Sequence, residues 1–152
     1  MPPLPYLILK TLHILSAAIW FGVGLPVSGD VRRTIERGRP HTDLLPERVK
    51  RSGRIAIIAG VFTLGTGLSL IFNAGGFANV RPNIHAGFGL ALLMFAVGVG
   101  LTLPAWRRIE AILAAEGGDL AEARRLAGRF AMFHGIEHLL WLVVLVLMVF
   151  RF

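Results

Sequence analysis

The sequence predicts an all-α integral membrane protein, a four-helix up-and-down bundle, and three observations predict it. Four apolar runs are each long enough to cross a bilayer, charge is scarce and gathered between them, and basic residues crowd two of the three connections. The chain has 152 residues, of which 55% are hydrophobic and 16% charged, and its mean hydropathy is +0.67. A soluble domain carries about a quarter charged residues, so lipid is the expected solvent. Cysteine is absent, which excludes disulfides, thiolate metal sites, iron–sulfur clusters and cysteine nucleophiles.

The first run covers residues 4–28, the second 55–72, the third 84–106 and the fourth 130–150. A spanning helix needs about 20 mostly apolar residues. The first run exceeds a signal-peptide core and is read as a retained span. The second is the shortest and is diluted by Gly60, Gly65 and Gly67, small residues that let helices approach closely in lipid. None of the runs has the polar face a soluble bundle would require. All 152 residues are read as one transmembrane domain, with no repeat and no low-complexity tract.

The connections set the orientation. Residues 30–54 contain Arg32, Arg33, Arg37, Arg39, Arg48, Lys50, Arg51 and Arg54, residues 107–129 contain Arg107, Arg108, Arg124, Arg125 and Arg129, and residues 73–83 contain only Arg81. The positive-inside rule assigns the two basic connections to the cytoplasm of a multi-pass protein in the cell inner (plasma) membrane, and both termini to the outside. A net charge of +7 distributed in this way speaks for a membrane surface and against nucleic acid. The basic connections are expected to be partly helical. Pro46 can open a helix that runs through Arg48 and Arg54 into the second span. Asp119 can cap one that runs through Phe133 into the fourth. Trp106 and Trp141 are expected as interfacial or packing residues.

Ionisable groups inside a membrane are costly and are therefore functional candidates. Eight of the nine acids lie in the basic connections, and Glu137 alone lies within a span. His41 is in a connection, whereas His13, His85, His134 and His138 fall within or at the ends of spans. At ~1.5 Å per residue, His13 lies ~6 Å outside the centre of the first span and His138 ~3 Å inside the centre of the fourth. His13 could pair with His85 in the outer half or with His138 near mid-membrane. His134, Glu137, His138 and Trp141 share one helix face at i, i+3, i+4 and i+7. The string His134-Gly135-Ile136-Glu137-His138 matches H-x-x-E-H of a zinc peptidase class, but no third ligand helix follows.

Two imidazoles and a carboxylate on one face suit a metal or haem iron, with Glu137 as ligand, partner to a ligand, or proton carrier. In the first span, His13, Ser16, Ala17, Trp20 and Gly24 leave room beside a histidine for a flat cofactor. Haem suits the set better than copper(I), which prefers Cys and Met, because four-helix bundles hold cofactors between facing helices. Copper(II) or zinc on imidazole is the other metal chemistry open to these residues. His13 and His138, nearest mid-membrane, are expected to matter most and to be the metal ligands.

Leu9-Lys10-Thr11-Leu12-His13, followed by Ala18-Ile19-Trp20-Phe21-Gly22, resembles the first span of the copper-resistance-D-like membrane proteins. Arg51-Ser52-Gly53-Arg54 and Thr66-Gly67-Leu68 fit the same pattern. The layout is also similar to the four-helix HemJ-type protoporphyrinogen oxidases, whose span-one and span-three histidines match His13 and His85. Ala86, Gly87 and Phe88 stand where that group carries a lysine, and its fourth span has a different motif. The resemblance thus implies haem binding more than porphyrinogen oxidation or copper handling.

The expectation is a haem b protein for electron transfer or oxidation of a small quinone- or porphyrin-like partner. Its ligands would come from His13, His85, His134 and His138, with Glu137 as the catalytic, proton-handling group. The alternatives are a metal-ion handling or transport protein, or a non-catalytic subunit of a larger membrane complex. A pore through so narrow a bundle would call for a homo-oligomer.

Overall fold

The computed structural model describes residues 3–150 and is an all-α four-helix bundle. Four helical rods are long and apolar enough to cross a membrane: Leu4–Arg37, Leu45–Asn73, Pro82–Ala114 and Leu120–Val149. The first and third rods are interrupted, which gives six α-helices.

The first rod comprises α1 (Leu4–Gly24) and α2 (Val27–Arg37). The expected run 4–28 is therefore broken near its basic end. Pro26 has no N–H to bond back to Gly22, so the ladder lapses after Leu25 N–H bonds Phe21 O and restarts where Asp30 N–H reaches Pro26 O. α2 ends at Gly38, whose φ of 70° favours glycine. The second rod, α3 (Leu45–Asn73), has proline in its first turn, as expected from Pro46. Gly75 and Gly76, at φ 94° and 89°, turn the chain into a short 3₁₀ segment, Phe77–Asn79.

The third rod comprises α4 (Pro82–Val97), a π-helical turn (Gly98–Thr102) and α5 (Leu103–Ala114). Pro104 cannot donate to Gly100 and its ring crowds that carbonyl, so the ladder widens just upstream. The fourth rod, α6 (Leu120–Val149), is capped as expected: the Asp119 carboxylate accepts from the N–H groups of Ala121 at 2.8 Å and Glu122 at 3.3 Å.

The rods pack as two pairs, α1 on α3 and α4–α5 on α6. α2 crosses to α6 and ties the pairs together at their basic ends. There the main hydrophobic core forms: Val31 and Ile35 of α2, Leu45 of α3, Ile109 of α5 and Ala123 of α6 are fully enclosed, with Trp106 and Phe130 beside them. α1 has no buried residue. The apolar sides of α1 and of the C-terminal half of α6 face away from the bundle, as lipid-facing helices should.

Candidate functional site

The two pairs share an extensive core at the basic end, and above it they part around a cavity of about 500 Å³, with Phe21 on Trp141 and Trp20 against Phe95 bridging them beside it. Trp20 and Gly24 of α1, Met94, Phe95 and Gly98 of the third rod, and His134 and Glu137 of α6 line it. Lys50, Arg54, Arg107 and Glu110 line it towards the basic connections. Gly60 lies tightly behind this wall. A Cβ there would stand 3.0 Å from Phe95 and 3.1 Å from Trp20, whose rings meet edge to face at 6.0 Å. A second hollow of about 60 Å³ shares Trp20, Gly24, Met94, His134 and Glu137 and adds Phe21, His138 and Trp141.

The helical spacing of α6 brings its polar residues to this seam. Thr102, in the π-helical turn, donates a hydrogen bond to Glu137 Oε1, and Gly98 lies beside that carboxylate, where a Cβ would be in ordinary contact at 3.5 Å from Oε1. The other oxygen, Oε2, is 3.8 Å from His134 Nδ1, too far for a hydrogen bond. His134 Nδ1 is buried and makes none.

His138 Nδ1 donates to His134 O at 2.6 Å. In the neutral ring this bond leaves the lone pair on Nε2. That nitrogen faces α1, at 3.5 Å from where a Cβ of Gly24 would be. Phe21 stands edge-on to the His138 ring at 5.2 Å and stacks on Trp141 at 4.0 Å. The wall thus presents a carboxylate, an imidazole oriented by a backbone carbonyl, and a second imidazole lacking a hydrogen bond on Nδ1. A ligand histidine is commonly oriented through its other nitrogen, as His138 is here.

His13 does not join this group. Its Nδ1 is 3.1 Å from Thr63 O and 3.1 Å from Thr66 Oγ1, and the ring lies against Gly67. It therefore fastens α1 to α3. His138 is level with Gly24, eleven residues further along α1, so the two imidazoles are separated by ~16 Å along the axis. The expected pairing of His13 with His138 on one iron is not formed. Nor does any contact join His13 to His85, which is exposed at the start of α4 with its ring 5.6 Å from Phe77. Estimated span centres place His13 and His138 within ~9 Å of each other in depth; the helices seat them further apart, and His13 is turned to α3. Among the described residues, no three His, Asp or Glu side chains form a set that could hold a metal ion.

Thr102 was not anticipated, although it is the only hydroxyl residue in the third run and a lone intramembrane acid needs a donor. α2 was also not anticipated. Its signal is Val27, Val31 and Ile35 at i, i+4 and i+8, all three of which are buried. Comparison with protein-family models, curated proteins and solved structures finds no match for this chain.

Proposed function

We propose that this multi-pass protein lies in the cell inner membrane with both termini outside, binds haem b in the cavity between its helix pairs, and serves electron transfer or oxidation of a small quinone- or porphyrin-like partner. The observation that supports the reading is the wall between the helix pairs: His134 and Glu137 line the cavity and His138 lines the small hollow beside it, between aromatic and glycine surfaces. These residues fit the group. His138 would offer Nε2 as a ligand, His134 would be a second imidazole one turn away, and Gly24 and Gly98 leave flat surface where other residues would project. Bound haem would supply one-electron exchange.

The chain's own residues would do the rest. Trp20, Phe95 and Met94 exclude water from one side. Thr102 holds Glu137 Oε1, so that Oε2 beside His134 is the oxygen free to take or release a proton. Orientation rests on the basic connections, which carry most of the chain's Lys and Arg.

Reconstitution with haem tests the proposal. The purified protein should show a Soret band that is lost or shifted in His138→Ala and altered in His134→Ala. His13→Ala, His85→Ala and His41→Ala should keep the parental spectrum. A wild-type protein without Soret absorption after reconstitution would exclude the reading.

A further inference from the structure

The cavity is unequal from end to end. Its deep part is mainly aromatic and aliphatic, with Trp20, Met94 and Phe95, apart from His134, Glu137 and Thr102 on one wall. At its basic end three cations face it, Lys50 and Arg54 from α3 and Arg107 from α5. Lys50 and Arg54 are one turn apart on the same helix face. All three are exposed, and none makes an ion pair or hydrogen bond among the described residues. Several neighbours are engaged: Arg48 with Asp30, Arg32 with Glu36, and Arg39 with the carbonyls of Leu113 and Ala115. Glu110 is the only acid at that end, which leaves the mouth with an excess of two positive charges.

We infer that the cavity takes an anionic amphiphile in one polarity, with its apolar body against Trp20 and Phe95 and its acidic groups at Lys50, Arg54 and Arg107, at the basic face of the membrane. Haem and porphyrins carry such acids as two carboxylates, and an anionic phospholipid carries one as phosphate. The chemistry they share is a flat or flexible apolar body with an anionic end. The inference deepens the haem proposal, because it sets which edge of the macrocycle faces the basic connections. Its charge argument does not depend on iron. Lining carbon would accept either polarity, but only one puts the acids against cations, where charge-assisted hydrogen bonds are strongest.

The test uses full-length protein in neutral detergent and iron-free protoporphyrin IX, read by quenching of tryptophan fluorescence, since Trp20 and Trp106 line the cavity. Protoporphyrin IX should bind the wild type more tightly than its dimethyl ester does. The triple variant Lys50→Gln, Arg54→Gln, Arg107→Gln should lose about tenfold or more of the diacid's affinity and little of the ester's. A second triple variant, Arg32→Gln, Arg124→Gln, Arg125→Gln, removes the same charge elsewhere and should bind the diacid as the wild type does. A parallel titration compares fluorescent phosphatidylglycerol with phosphatidylcholine. Lipid binding that requires the three cavity cations, with no porphyrin binding, would support the inference with a lipid as the source and would defeat the haem proposal. Diacid binding without a Soret band on adding haem would likewise keep the inference and remove the haem. Equal binding of diacid and ester, equal losses in both triple variants, or binding of neither probe class would overturn it.

Discussion

Thr102 shows how one hydroxyl can hold a half-buried acid in place. Glu137 is the single acid within the spans, and Thr102 donates to its Oε1 from a position that is itself buried. Thr102→Val keeps the shape and removes the donor. Leaving a buried acceptor unsatisfied costs about 1–3 kcal/mol. Thermal denaturation in detergent should show that loss for Thr102→Val and less of it for Thr102→Ser, which restores the donor; equal losses would mean that the methyl matters and the hydroxyl does not. The sequence marks Glu137 and the four span histidines as exceptional because charge and imidazole are rare in lipid. It does not give the direction in which each faces, because that depends on how neighbouring helices are rotated. His13 illustrates the gap. Thr63 and Thr66 supply its partners, yet nothing in a sequence ties those residues to a histidine some fifty positions earlier.

At the level of elements, the local signals are proline, glycine and the capping acid. Pro46 and Asp119 open α3 and α6 where their chemistry places them, because capping is decided within one turn. The interruption at Leu25 and Pro26 follows from the same rule, but a hydropathy run conceals it, since the residues on both sides of the break are apolar. α2 was hidden in a different way: its core residues are spaced among arginines, and a connection rich in charge resembles a loop. Asp119 carries a direct prediction. Its carboxylate satisfies two N–H groups at the start of a 30-residue helix, close to the fully enclosed Ala123. Asp119→Ala should cost about 0.5–2 kcal/mol, and Asp119→Asn or Asp119→Ser should recover most of it. Chemical denaturation monitored by circular dichroism measures both.

For the molecule as a whole, two environments hold the fold together by different means. Within the membrane, lipid is as apolar as leucine, so burial supplies little drive and helices associate through close packing and polar contacts. The stack of Phe21 on Trp141 and the hydrogen bonds of His13 are contacts of that kind. At the basic end water is present, and α2, α3, α5 and α6 bury a core there as a soluble bundle does. That division explains how a cavity can persist between the pairs: the contact below it fixes their spacing. Stability should therefore be concentrated outside the spans. Ile35 of α2 is fully enclosed, whereas Leu15 of α1 is 55% exposed to the lipid side. Ile35→Ala removes buried methyl and methylene groups from a packed site and should cost about 2–5 kcal/mol. Leu15→Ala changes a surface that lipid covers in either case and should stay within about 0.5 kcal/mol. Because α2 bridges the two pairs, Ile35→Ala should also loosen the cavity and weaken binding of the amphiphile, an effect Leu15→Ala should not share. Thermal melts of the two variants in one detergent, with ligand titrations alongside, measure the gradient. Equal destabilisation by both would mean that the bundle is held together along its whole length and that the basic end has no special part in it.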